Sequence, residues 1–296
     1  MHFTGTVYRN PYWPTWPLLE ITQGCTHNRC KFCTMYKEVP FRMSPIEWIE
    51  EDLQELAQYD PDARTIQLLS ANPLVLSYDK LVPIFELIHK YLPKIEYIYM
   101  AGRVTDLKNK TVDELKKLKE LGMREISLGV ESGDDWTLDR IHKGYHAEDI
   151  LEQCHKLEEA GIDYWMTFLN GVAGRFHSHE HAVNSAKIFS QCKPMLVGTG
   201  GLILFPGTPL LEEAQRGEFD QLTEKELLQE LKTFVENLTA DCTFITHHTV
   251  AANLTGPNFL LVRIRLLPHW IMRFSMGMWI DWQRTAEIRG LCNRRV

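Results

Sequence analysis

The chain lacks any apolar run of about 18 residues, the length a membrane-crossing helix needs, so no membrane span is expected. It lacks a recognisable secretory leader: the opening MHFTGTVYRNPYWPTWP is polar and broken by proline. It lacks a strong charge of either sign. With 32 basic against 39 acidic side chains the net charge is −7, too mild a surplus to advertise a nucleic-acid partner. Arg284, Arg289, Arg294 and Arg295 make the last residues basic, and we read them as a solvated end. Internal repeats, low-complexity tracts and linkers are missing. Cysteine is sparse and odd in number, at seven, and no second C-x-x-C pair follows the first. Without a leader, this fits reduced thiols in a cytoplasmic protein better than a disulfide framework.

What is present is an alternation. Short β-rich runs fall at 17–22 (PLLEIT), 65–70, 95–101, 124–130, 163–171 and 195–205. Amphipathic helical patterns follow at 44–58, 79–92, 111–122, 147–161 and 180–192, then a short one at 209–216 and a longer one at 223–237. Ser44 before Pro45 reads as an N-cap, Thr111 with Glu114 as a capping box, and Gly122 as a helix stop. Six β-then-α units predict right-handed crossovers and a parallel sheet. The fold class expected is α/β, a partial (β/α)6 TIM-like barrel, with a flat doubly wound sheet as the alternative. Either way, active residues belong at the C-terminal ends of the strands. We expect a core barrel over residues 1–240 and a C-terminal extension over 241–296. In that extension PNFLLVRIRLLPHWIMRF reads as a closing helix interrupted by Pro268.

Cys25, Cys30 and Cys33 fall within nine positions, at the end of the first strand. Three readings compete. A zinc site normally takes four ligands, and His27 would complete Cys25, Cys30 and Cys33. Incidental cysteines would not explain the spacing. A 4Fe–4S cluster on three thiolates would leave one iron open to a small molecule.

The stretch GCTHNRCKFCTMYK resembles the radical SAM superfamily, whose three cysteines bind a 4Fe–4S cluster while S-adenosylmethionine chelates the fourth iron. The superfamily's usual spacing is C-x3-C-x2-C. This chain has C-x4-C-x2-C, which resembles a subgroup that also carries FR ahead of the first helix, here Phe41–Arg42. LGVESGDDWTLDRIHKG (128–144), NGVAGRFHSHEHAVNSA (170–186) and LFPGTPLLEEAQRGEF (204–219) are similar, in order, to later superfamily segments. The resemblance implies that Cys25, Cys30 and Cys33 ligate the cluster. Phe32 takes the aromatic slot that shields it and approaches the adenine. The strand-two segment that receives the methionine amino group corresponds to Ser70, Ala71 and Asn72, with no glutamate there. Arg103 is expected near the cofactor carboxylate, a match suited to a guanidinium. Glu131 and Ser132 are expected at the ribose and methionine, and Asn170 and Gly171 beside the adenine. His27 and Asn28 become loop-shaping residues.

His177 and His181 share a helical spacing, but we read the HSHEH stretch as a solvated helix start rather than a metal box. His247 and His248 are read as either a strand edge or part of the substrate end. The function implied is radical generation from S-adenosylmethionine on a substrate the sequence does not name. That substrate is more readily a small molecule than a macromolecule, and the reductant a flavodoxin or ferredoxin. The missing second C-x-x-C argues against an auxiliary-cluster maturase or a methylthiolating enzyme. The alternatives are a zinc-stabilised (β/α) binding protein, or an iron–sulfur electron carrier that does not cleave S-adenosylmethionine.

Overall fold

Apolar residues two apart in each β-rich run must share one face of a strand. The strands that result are β1 (Leu18–Glu20), β2 (Thr65–Leu69), β3 (Tyr97–Gly102), β4 (Met123–Glu131), β5 (Asp163–Asn170), β6 (Leu196–Gly201), β7 (Cys242–His247) and β8 (Leu260–Ile264). They lie side by side in sequence order. β1 to β7 run parallel, each pairing with the next, and β8 returns antiparallel along β7. β1 and β8 do not pair with each other, so the sheet is not closed. This is a computed structural model, and it describes residues 1–10, 15–247 and 260–264. All of these fall in one compact unit, Met1–Arg265.

The helices between strands are α1 (Ile46–Tyr59), α2 (Tyr78–Tyr91), α3 (Val112–Glu120), α4 (Asp135–Arg140), α5 (Ala147–Ala160), α6 (Ser178–Phe189), α7 (Pro209–Gln215) and α8 (Glu224–Asn237). Their packing decides between the two fold expectations. Leu53 of α1, Phe85 of α2, Leu118 of α3, Leu157 of α5, Phe189 of α6 and Phe234 of α8 all enter one continuous core. From the sheet, Ile66, Met100, Leu128, Phe168 and Phe244 meet them there. A doubly wound sheet would divide its helices between two faces, each with its own core. A single helix-side core is the mark of a barrel wall. Phe168 stacks on Phe234 at 4.0 Å between ring centroids, and Phe189 meets Phe234 edge-on at 5.6 Å.

The other face of the sheet is plugged near the strand starts. Trp16 meets the edges of Tyr97 and Tyr99, and Tyr99 lies against Trp165. Trp165 packs with Leu196 and Ile245. Toward the strand ends the residues on this face shrink to Ala101, Gly129, Gly198 and Gly200. A Cβ added at Gly200 would meet nothing within 4 Å among the described residues. Among the described residues the sheet therefore keeps open space beside Gly200, at its C-terminal end.

Several expectations are corrected. Among the described residues the parallel strands number seven, because the sheet runs past residue 240 into β7. The expected closing helix begins instead as β8: five residues, Leu-Leu-Val-Arg-Ile, satisfy the free edge of β7. The basic tail and His248 lie outside the described residues, and His247 ends β7. Ser44 does not cap α1: Pro45 holds that position, no side chain caps the helix, and the buried Ser44 hydroxyl has no partner. The Thr111–Glu114 capping box forms as expected. Gly122 closes α3 at a φ of 98°, as a stop glycine does. Helix α4 was not anticipated. It is two turns started by Asp134, whose carboxylate accepts the Thr137 N–H at 2.9 Å.

Candidate functional site

The cysteine loop leaves β1 and is fixed on every side. Gly24 turns the chain at a φ of 69°, and a Cβ there would sit 2.5 Å from the Val39 carbonyl oxygen. Only glycine has that freedom. Asn28, at a φ of 47°, donates its side-chain amide to Tyr36 O at 2.6 Å. Lys37 Nζ donates to Asn28 O at 2.9 Å and to Cys30 O at 3.3 Å. His27 Nε2 donates to His142 O at 2.6 Å, which makes it a loop-shaping residue as expected. Lys31 N–H reaches Ile141 O, and Lys31 O accepts from Leu210 N, so the loop is stitched to the end of α4 and the start of α7. Lys31 and Arg140 share the Glu213 carboxylate at 2.7 and 2.6 Å. Burial works to raise the Glu213 pKa, but these two cations outweigh it and hold it below its ordinary value.

All three thiols are half-exposed. Burial pushes the Cys30 thiol up, opposed by the Lys143 ammonium, while Glu131, Cys33 and Cys25 push it further. Burial also raises the Cys33 thiol, opposed chiefly by the Met35 N–H. The three sulfurs thus sense one another. Among the described residues, however, no three His, Cys, Asp or Glu side chains group as ligands of a single ion. Three thiols on one short loop are soft donors of the kind that both zinc and an iron–sulfur cluster take.

Backbone strain gathers at this end of the sheet. Among the described residues the non-glycine residues with positive φ are Asn28, Ser70, Glu131 and His142, all on the cysteine loop, at strand ends or at the end of α4. Such strain persists where surrounding contacts enforce it, and it clusters at functional sites. Ser70, at a φ of 101°, donates its hydroxyl to Gly24 O at 3.0 Å. Glu131 follows a break in the β4–β5 register and accepts from Thr167 Oγ1 at 3.0 Å.

The residues singled out from sequence fall into two groups. Cys25, Cys30, Cys33, Ser70 and Glu131 come together around the loop, and Ala71 sits beside them, half-buried. Phe32 packs against a small second core of Ile141, Val172, Leu202, Leu210 and Phe219. The other group has side chains already engaged. Asn72 is fully buried: its Oδ1 accepts from Thr26 N at 3.3 Å, and its amide donates to Thr26 Oγ1 and to Asp106. It ties the cysteine loop to the end of β3. Arg103 donates to Lys143 O and lies over Tyr145, leaving its buried Nε without a partner. The Ser132 hydroxyl is buried against Asp134 N and Ser185. Asn170 donates to Leu227 O at 3.0 Å, and its buried Oδ1 is unpaired. Gly171, at a φ of 87°, donates its N–H to Glu230.

Sequence reading missed three participants. Lys143 is almost completely buried, donates to Gly129 O at 2.7 Å and stands 3.7 Å from Glu131 Oε1. Tyr145 donates to Gly129 O and Val130 O. Glu230, from α8, sits under the end of β5. The IHKG text held the signal for Lys143, since a lysine just beyond a helix end that follows a rim strand is placed to turn inward. His181 was also misread. It is fully buried, stacks on Phe168 at 4.7 Å and bonds Glu230 through Nδ1 at 3.0 Å. The apolar positions of α6 face the sheet and carry His181 inside with them. His177 takes Asp134 instead, at 2.9 Å, so the two histidines do not share a site.

A Gly24→Ala substitution tests the loop. The Cβ must displace the Val39–Pro40 backbone. We expect iron bound after reconstitution to fall severalfold, with the far-ultraviolet circular dichroism unchanged. Full iron binding by the variant would show that the turn is dispensable.

A family model described as the Radical SAM superfamily matches residues 19–188, more than half of the chain. The heme chaperone HemW of Bacillus subtilis is 24% identical over 169 residues, covering 55% of this chain and 44% of the relative. The tRNA-2-methylthio-N(6)-dimethylallyladenosine synthase of Bdellovibrio bacteriovorus is 26% identical over 158 residues, covering 52% of this chain and 34% of the relative. The chain therefore spans less than half the length of these curated relatives. The radical S-adenosylmethionine methyltransferase TsrM of Kitasatospora setae, solved with cobalamin and a 4Fe–4S cluster bound, superposes with a TM-score of 0.53 at 16% identity, covering 68% of this chain and 37% of that one. The match extends from the strand that delivers the cysteine loop through to α6, and on that ground the chain belongs to the Radical SAM superfamily.

Proposed function

We propose that this chain is an enzyme that holds a 4Fe–4S cluster on Cys25, Cys30 and Cys33 and cleaves S-adenosylmethionine to drive radical chemistry on a small-molecule substrate. When bound, the cluster supplies one electron to S-adenosylmethionine, whose carbon–sulfur bond breaks to give methionine and a 5′-deoxyadenosyl radical that abstracts hydrogen.

The observation that carries the reading is the Glu131–Lys143 pair beside Cys30. The methionine part of S-adenosylmethionine is an amino acid, with an ammonium and a carboxylate to be matched. A carboxylate and an ammonium side by side at the sulfur cluster's edge meet both demands. Lys143 takes the carboxylate role that sequence reading gave to Arg103, and Arg103 braces the Lys143 backbone. Ser70, with its strained backbone, and Ala71 beside it present backbone groups from the end of β2. Asn72 acts one step back, through Thr26. Asn170 and Gly171 border the adenine, and Phe32 shields the cluster. Ser132 secures the turn after Glu131. A one-electron donor such as a flavodoxin or ferredoxin completes the system. No helix among the described residues is long and apolar enough to cross a membrane.

The test is anaerobic reconstitution with iron and sulfide, then addition of S-adenosylmethionine and dithionite. Chromatography should show 5′-deoxyadenosine, and absorbance should show a brown iron–sulfur chromophore. A protein that takes up zinc in preference to iron, or forms the chromophore without yielding deoxyadenosine, overturns the proposal.

A further inference from the structure

We infer that Glu20 is a substrate-binding residue that receives an ammonium group, and that the N-terminal segment now occupies its place. Leu19 and Ile21 enter the helix-side core, so alternation along β1 turns Glu20 to the opposite face. There Glu20 is only 9% exposed. No cation lies within ion-pairing distance of it among the described residues. Its partners are Thr4 Oγ1, at 2.5 Å, and Thr4 N, at 3.4 Å. A buried carboxylate without a cation is costly. One hydroxyl and one long amide contact are modest compensation.

Glu20 lines a cavity of about 60 Å³, together with Thr4, Tyr8, Gly24, Tyr36 and Ser70. At the 10–15 Å³ that one water occupies by this measure, the space admits about four waters or a small amine head group. Two of its walls, Gly24 and Ser70, belong to the frame of the cysteine loop. Another wall is the N-terminal segment. Met1 and His2 fasten its start to Asp52 and Glu55 of α1, while over the cavity its contacts are exchangeable: Thr4 on Glu20, Tyr8 OH on Met35 O at 3.4 Å, and the Tyr8 ring edge-on to Tyr36 at 5.4 Å. A hydroxyl that donates to a carboxylate is what an incoming ammonium would displace, exchanging a neutral donor for a charged one. The chemical class is therefore a small molecule with a primary ammonium, bound close to the cluster loop. This extends the proposed function and relies on it only for the identity of the neighbouring group.

S-adenosylmethionine itself carries an ammonium, so the test separates the two sources. Saturation-transfer NMR on the cluster-loaded full chain uses n-butylammonium as probe and n-butanol as its neutral counterpart. Butylammonium should bind and butanol should not. Glu20→Gln, nearly isosteric and uncharged, should weaken butylammonium by about tenfold, the worth of one charge-assisted bond. Thr4→Val removes the competing hydroxyl and should tighten the probe severalfold. The affinity for S-adenosylmethionine, measured by equilibrium dialysis, should be the same in Glu20→Gln as in the wild type. Equal binding of the two probes, an unchanged response in both variants, or a tenfold loss of S-adenosylmethionine affinity in Glu20→Gln each overturns the assignment. If Glu20→Gln does not fold, the direction of the Thr4→Val effect decides alone. Selective ammonium binding without deoxyadenosine formation would leave Glu20 in place while the radical reading falls. Deoxyadenosine formation without ammonium selectivity would do the reverse.

Discussion

Replacing Cys25, Cys30 or Cys33 by alanine, one at a time, is expected to reduce reconstituted iron and 5′-deoxyadenosine formation to the level of a protein-free control. On the proposed assignment each thiolate would hold one iron of the cluster, and two thiolates would be too few to keep it bound. His27 Nε2 is held by His142 O, so a rescue of iron binding through this side chain would have to come from Nδ1 and is tested by adding His27→Ala to each cysteine variant. The informative comparison is Cys154→Ala. Cys154 is fully buried in α5. Losing its sulfur opens a small cavity and should cost about 1 kcal/mol of stability, with iron and deoxyadenosine unchanged. Circular dichroism separates loss of ligand from loss of fold. Wild-type deoxyadenosine yield from any of the three loop variants would refute the ligand assignment.

The alternation of strands and helices was legible because it is local. A β-rich run or a 3.6-residue period is written in neighbouring residues, and so are the Thr111 capping box and the Gly122 stop. The cysteine spacing was legible for the same reason. Features that depend on partners distant in sequence were not. Glu230 gives no hint, within α8, that it will accept from Gly171 of another unit and from His181. His181 looked like part of a polar helix start, because a run of three histidines hides which one lies on the buried stripe. Asn72 was placed with Ser70 and Ala71 in the segment expected beside the methionine amino group. Its four donor and acceptor contacts go instead to Thr26 and Asp106, a bridge that no local pattern encodes. The seventh strand escaped because CTFITH follows a long helix and precedes a stretch without clear period. Its assignment comes from the edge that β6 leaves open.

The His181–Glu230 pair gives the second large effect. Both side chains are completely removed from solvent. Glu230 accepts from His181 Nδ1 and from the N–H of Gly171, the residue that follows β5 at the proposed adenine edge. Glu230→Leu leaves both donors buried and without an acceptor. Breaking such a pair from one side costs about 3–5 kcal/mol, which for a chain of this size is a fall in Tm of roughly 5–10 °C by calorimetry. Removing both polar partners costs less than the sum of the single changes, because His181→Leu with Glu230→Leu leaves only the Gly171 N–H unsatisfied. The pair also reaches the site. Gly171 is held at a φ of 87°, with Leu227 2.6 Å from where a Cβ would be. Loss of the Glu230 acceptor frees that turn, and the affinity for S-adenosylmethionine should fall by about tenfold even at temperatures where the variant is fully folded. A purely structural pair would lower Tm and leave that affinity untouched. A Glu230→Leu variant that melts within about 2 °C of the wild type would show that the pair contributes little to either property.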